Sequence, residues 1–438
     1  MTESASLAPS RFLEDVSQAL LRRAKTLLES ATLVEDVLAL APLDCYFVVK
    51  ELGAEDALPI LKHATPEQLQ TIVDLDCWQH DELMPQDLDA WLASFAHEGK
   101  EALARAFKSL DAEVQILFLA ASLQIHLPSD GEPPEPLEDV PRMHTTDTFF
   151  VLDGVGIEGH TLNPFTLVEA LYLDDHEEAY RLLMAAKWEH PSILEEMALG
   201  FRNGRTEDLG FPQHGDALKI FAPPQPLTPL ATPYAPPVAT LPALYAQPLL
   251  EGSLFTRTLA AVANPERLAA LESDLVYLVN TAVVAYGEAP GDLTHVQQIA
   301  TRVRDTVSLG LEVLLSQEAH VDDPESPAAI TRGVELLDRA PVRHLFRLGH
   351  HQVVELAKSA HPLLTDPVFS AWLRAPMTER DDYSQDRLDR EFIQALTAPR
   401  PLYGGYDKMH PERRKAFGSR TELKLAEARL DTIAERQT

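Results

Sequence analysis

The stretch PQDLDAWLASFAHEG, residues 85–99, decides the fold. Leu88, Trp91, Leu92 and Phe95 fall at i, i+3, i+4 and i+7, so their apolar side chains share one face of an α-helix. Proline opens the stretch and glycine closes it. Pro85 needs no N–H partner in a first helical turn, and Gly99 takes a positive φ without a Cβ penalty. The same grammar governs the first 127 residues. Thr65, Pro66 and Gln68 supply an N-cap, a first-turn proline and the reciprocal partner of a capping box, and Gly53 stands where another helix should stop. Helices joined by short corners predict stacked helical hairpins, and hence a mainly α fold.

Outward from this block the periodicity is interrupted twice. The acidic, proline-rich PSDGEPPEPLEDVP, residues 128–141, can form no regular helix, and APPQPLTPLATPYAPPVATLPALYAQP, residues 222–248, predicts extended chain. Between them, TDTFFVLDGVGIEG (146–159) is a β-like run followed by glycines, read as a short strand or hairpin, and helical patterns resume from Pro164 to Phe221. The expected organisation is therefore a helical hairpin domain over 1–127, a linker over 128–141, a β element plus helices over 142–221, a second linker over 222–248, and a C-terminal helical domain over 249–438. In the last of these, PERLAALESDLVYLVNTAVVAYG and GDLTHVQQIATRVRDTVSLGLEVLL predict longer helices. LGAEDALPILKHATP (52–66) also aligns without a gap to LGHHQVVELAKSAHP (348–362), which reads either as a duplicated helical unit or as chance and shared hairpin grammar, with glycine ending one helix and proline opening the next.

Charge narrows the functional classes. The chain has 438 residues, 37 basic against 68 acidic, and a formal charge of -31, a field that repels phosphate backbones and anionic lipid. No nucleic-acid partner is expected. The tail from Arg400 to Arg436 alternates its positive charges with Glu412, Glu422, Glu427, Asp431 and Glu435, and reads as a solvated helix. Cys45 and Cys77, the only two cysteines, lie in helical patterns and fit a reducing compartment. The N-terminus carries no secretory pattern, and the most apolar run, VQILFLAASLQIHL, is shorter than a bilayer span, so a cytoplasmic protein without a membrane span is expected.

Few residues advertise chemistry. Gly154, Gly156 and Gly159 spell G-x-G-x-x-G, but Asn163 and Pro164 signal a helix start beyond the glycines, and Glu158 puts a carboxylate where a pyrophosphate would lie. HEEAY (176–180) lacks the second histidine of a zinc helix, since Tyr180 occupies its place, and the adjacent His350 and His351 point about 100° apart on a helix. DLDCWQHDEL (74–83) is the best metal candidate. Cys77 and His80 are three apart, so a continuing helix would put them on one face, with Asp74 or Asp81 as a further ligand. Against this, Leu69, Ile72, Val73, Leu75 and Trp78 continue an apolar stripe, which makes the stretch a corner pinned by Trp78, with Asp76, His80, Asp81 and Glu82 solvating it. GFRNGRTEDLGFP (200–212) places Arg202 and Arg205 beside Glu207 and Asp208, read as a turn between helices. These arginines either form structural ion pairs or bind an acidic partner or anionic ligand with their planar forks.

Three blocks, ATPEQLQTIVDLDCWQHDEL, ILEEMALGFRNGRTEDLGFPQHGDALKIFAP and HLFRLGHHQVVELAKSA, together resemble a bacterial domain-of-unknown-function family over nearly the whole chain. The middle block, with Glu196, Arg202, Gly204, Arg205 and Asp208 to Pro212, is the most specific. The resemblance brings no activity with it. Residues 43–93 are also similar to the stacked helical hairpins of the cytosolic N-terminal domain of bacterial magnesium transporters, through leucine-rich hairpin grammar.

The reading these features support is a non-enzymatic interaction or regulatory protein that binds another protein, with no cofactor and no catalytic residue assigned. The competing class is a metal-dependent enzyme or metal-binding protein that gathers Asp74, Asp76, His80 and Asp81 with residues from other helices. Oligomeric state is not encoded in any local pattern.

Overall fold

The computed structural model describes residues 22–127, 131, 135, 140–155, 161–225, 252–375 and 384–437. Most of the acidic linker, Gly156, Glu158 and Gly159 of the glycine run, and most of the 222–248 passage lie outside the described residues. The fold is mainly α, with three small antiparallel sheets among the described residues. The chain divides into two compact units, residues 1–209 with 289–293, and residues 210–288 with 294–438.

The first unit is built around the helix Ala112–Ser122. Val114, Ile116, Leu117, Phe118 and Leu119 are all buried, so this helix is apolar nearly all round and needs neighbours on every side. His176–Trp188 and Pro191–Asp208 pack against it, while Lys100–Lys108 packs on Pro164–Asp174 and Pro42–Leu52 on Pro66–Asp76. Expected signals are realised here. The Thr65 hydroxyl accepts from the Gln68 amide and the Gln68 side chain returns to the Thr65 N–H, which closes the capping box. Leu88, Leu92 and Phe95 form the buried face of Pro85–Ala96, and Gly53 and Gly99 take positive φ at helix boundaries.

Within the 146–159 run, Val151–Gly154 becomes the central strand of a sheet. Val151–Gly154 pairs with Leu123–His126 on one side and Arg142–His144 on the other. Buried Asp153 ties the three strands, accepting from Arg142 Nε (2.5 Å) and Nη2 (2.7 Å) and facing His126 Nε2 at 3.0 Å. Residues on both sides of the acidic linker thus share one sheet inside one unit.

In the second unit, Pro265–Tyr286 packs on Val342–Thr365, and Leu254–Ala260 on Pro327–Leu337. Phe369, Phe392, Ile393, Phe417, Leu430 and Ile433 belong to one buried cluster with Leu309, Val313 and Val353. Pro265–Tyr286 is long and apolar enough to cross a membrane by length and composition, but over half of that window is buried, and Asp274 and Asn280 lie buried within it. Leu293–Leu314 and Val342–Thr365 approach closely where Gly310 faces the Leu345 carbonyl and Gly349 faces the Thr306 carbonyl.

Three expectations are corrected. The aligned stretches 52–66 and 348–362 fold differently: Gly53 ends a helix and Pro66 opens one, whereas Gly349 and Pro362 both lie inside Val342–Thr365. Gly349 is small because a neighbouring backbone presses on it, a demand that local sequence cannot distinguish from a helix stop. The 400–436 tail is only partly a solvated helix. Tyr403–Gly404 and Arg414–Lys415 form a two-stranded ribbon, and Arg420–Gln437 buries Ala426, Leu430 and Ile433. Residues 200–208, read as a turn, are the last turns of the helix Pro191–Asp208, which stops where Gly210 takes a φ of 87°.

Candidate functional site

The helix Pro66–Asp76 ends at Cys77, whose N–H still donates to the Val73 carbonyl at 2.9 Å. Trp78–Gln79 then pairs with Glu82–Leu83, and His80 adopts a φ of 56° in the reversal. A β-hairpin, not a continuing helix, therefore carries residues 78–83, while Asp74 to Asp76 are the last turn of the helix. This removes the helical spacing on which a Cys77–His80 pair depended. Among the described residues no group of three or more His, Cys, Asp or Glu side chains is placed to hold a metal ion. Cys77 is a buried free thiol that burial pushes well above its ordinary range, so it stays protonated.

What folding brings together is the hairpin and the arginine-bearing helix. Arg205 grips Asp74 in a fork, Nε to Oδ2 at 2.6 Å and Nη2 to Oδ1 at 3.0 Å, and Nη2 also donates to Asp111 at 2.7 Å. Gln70 adds a third donor to Asp74 at 2.8 Å. The Asp74 side chain is only 1% exposed and that of Arg205 34%. Arg202 lies over the Trp78 ring at 5.2 Å and donates to the carbonyls of Asp74 (2.9 Å) and His80 (3.2 Å). Burial pushes the Asp74 carboxyl up against the lowering effect of Arg205 and Gln70, and pulls Arg202 down. Arg205, despite its own burial, is held above its usual range by Asp74 and Asp111.

Asp76 is engaged separately, by Tyr46 Oη (2.8 Å), Lys50 Nζ (2.8 Å) and Trp91 Nε1 (3.2 Å). Asp81 is exposed beside the hairpin reversal. The two stretches singled out in the sequence thus meet in one ion-pair and cation–π junction, in which the forks of Arg202 and Arg205 are directed at Asp74, Asp111 and backbone carbonyls.

The opposite side of the same helix is different. Leu194, Ala198 and Thr206 face inward, yet Ile193 is 60% exposed, Met197 44% and Phe201 49%. At 3.6 residues per turn, these three with Gly200 and Gly204 span an arc of about 100°. Among the described residues a Cβ on either glycine would meet nothing within 4 Å, so packing against them requires neither. Each weakens the helix by about 1 kcal/mol relative to alanine. The exposed charges on this helix nearest the ridge, Glu196, Glu207 and Asp208, are acidic. Sequence reading missed the ridge because it treated 200–208 as a turn. The available signal was an apolar set, Ile193, Leu194, Met197, Ala198 and Phe201, too wide for one buried stripe.

The chain belongs to a family of unknown function, DUF6178, which matches residues 2–438. No curated protein and no solved structure matches it.

Proposed function

We propose that this member of the family is a non-enzymatic cytoplasmic binding protein that holds an amphipathic, basic helix of a partner protein against the outward face of Pro191–Asp208. The observation that carries this reading is the exposed line of Ile193, Met197 and Phe201, with Gly200 and Gly204 beside it. Large exposed side chains next to two unneeded glycines form knobs beside a shallow groove, into which a second helix can bring its backbone close.

Charge selects the kind of helix. Glu196, Glu207 and Asp208 lie beside the ridge while Arg202 and Arg205 point inward, so a partner with lysines or arginines flanking an apolar stripe is complementary. Full burial of a side chain of this class contributes about 1.5–3 kcal/mol, and these three are about half buried already, which leaves about 3 kcal/mol to offset the entropy of association. The inward arginines have a supporting part, because they fix the register of the helix on the hairpin and so orient the ridge. Two free, buried cysteines suit a reducing compartment.

A photo-crosslinking amino acid in place of Phe201, in the full chain and in the producing cell, tests the reading. The expected result is an adduct to a partner helix whose apolar residues are flanked by lysine or arginine, and its loss in Met197→Glu with unchanged circular dichroism and melting. Adducts only between two copies of the chain, or adducts indifferent to Met197→Glu, would overturn it.

A further inference from the structure

A cavity of about 260 Å³ lies in the second unit, among the short turn Leu218–Phe221, the helix Pro265–Tyr286 and the first turns of Val342–Thr365. We propose that it binds the phosphate group of a small organic phosphomonoester through Arg343 and Arg347. The two arginines stand four residues apart, hence on one face of the helix, and both line the cavity.

Their donors are largely unused. Arg343 is exposed and makes no hydrogen bond or ion pair among the described residues. Among the described residues Arg347 makes one hydrogen bond, Nη2 to the Lys219 carbonyl at 2.6 Å, and its buried Nε has no partner there. This is unusual in a chain of charge -31, where most other arginines sit on a carboxylate. Two adjacent guanidiniums, one partly desolvated, repel each other unless an anion lies between them, and burial followed by the charge of Arg343 lowers the basicity of Arg347.

The carboxylates in the lining do not quench the pair. Asp216 is taken by Lys219, and buried Asp274 accepts the Val342 amide at 2.8 Å, capping the helix that carries both arginines. The amide dipoles of that 24-residue helix add positive potential at its first turn.

Shape and wall chemistry define the ligand. One carboxylate satisfies one fork, whereas a tetrahedral phosphate has three terminal oxygens and can accept from two guanidiniums at once. A cavity of about 260 Å³ exceeds what a lone phosphate fills, given about 30 Å³ for a water molecule. Ile220, Leu278 and the Tyr277 ring line the remainder and suit an apolar organic body.

Isothermal titration of the full chain in phosphate-free, low-salt buffer, with phenyl phosphate, inorganic phosphate and benzoate as probes, tests the assignment. Phenyl phosphate should bind one-to-one, more tightly than inorganic phosphate and at least tenfold more tightly than benzoate. Arg343→Gln and Arg347→Gln should each weaken it tenfold or more, while Lys358→Gln, a surface cation paired with Glu355, should leave it unchanged. Should Arg347→Gln fail to fold, the exposed Arg343→Gln carries the test. Absence of binding, equal affinity for benzoate, phenyl phosphate no tighter than inorganic phosphate, or equal weakening by Lys358→Gln would each overturn the proposal.

Discussion

Replacing Arg205 by methionine keeps most of the side-chain volume and removes the fork that holds Asp74. The carboxylate left behind is 1% exposed and retains only the Gln70 amide as a side-chain donor. Removing one partner of a fully buried pair costs about 3–5 kcal/mol, but Arg205 is itself one-third exposed, so water can enter where the guanidinium stood and the expected loss is about 2–3 kcal/mol. The loss depends on pH. Burial already raises the Asp74 carboxyl above its ordinary 3.8, so the folded chain holds this proton more tightly than the unfolded chain. Stability from this group therefore falls as pH rises from 3.8 through the folded value. Without Arg205 a lowering influence is gone and the window extends upward. The deficit of the variant should be greatest at neutral pH and shrink as Asp74 protonates. Urea unfolding followed by tryptophan fluorescence reports on the correct unit, since Trp78, Trp91 and Trp188 lie in the first unit and only Trp372 in the second. A loss below about 0.5 kcal/mol at neutral pH, or a loss that does not shrink as pH is lowered toward 3.8, would refute the view of Asp74 as a buried carboxylate held by Arg205.

Thr65→Ala should cost about 1 kcal/mol in the same assay, because it leaves the Gln68 amide without its capping oxygen. Gly310→Ala should destabilise the second unit by about 3 kcal/mol or more, seen as a lower calorimetric midpoint, since the new Cβ would overlap the Leu345 carbonyl and the two helices would have to separate. His350 stacks among Phe221 and Phe346, and burial lowers its pKa to about 4, so its folded form holds the proton less tightly than the unfolded chain at about 6.5. That contribution is fully present above pH 6.5 and is lost as pH falls toward 4, about 3 kcal/mol in all. His350→Phe should flatten this part of the stability profile, and an unchanged slope would count against the burial argument.

Local chemistry made the helices legible. The capping box at Thr65 and Gln68, the face of Leu88, Leu92 and Phe95, and the glycine stops at Gly53 and Gly99 depend on neighbours within one or two turns, and all were readable in the sequence. The strand at 151–154 was readable from its β-branched and apolar run, but its two partners were not, because pairing spans a linker. Residues 200–208 misled for a physical reason. Glycine is both the common helix stop and the residue of least bulk, and the sequence does not say which property is in use.

The sequence by itself determined a mainly α chain of acidic charge, and it marked Asp74, Trp78, Arg202 and Arg205 as residues to explain. Only the tertiary structure decided what they do. Asp74 and Arg205 are 131 positions apart, and a carboxylate taken out of water needs a charged donor from wherever the fold can supply one. The same long-range packing turned Ile193, Met197 and Phe201 outward, and set Arg343 and Arg347 against a cavity walled by two other segments, since exposure and concavity are properties of assembled surfaces and not of any stretch of chain.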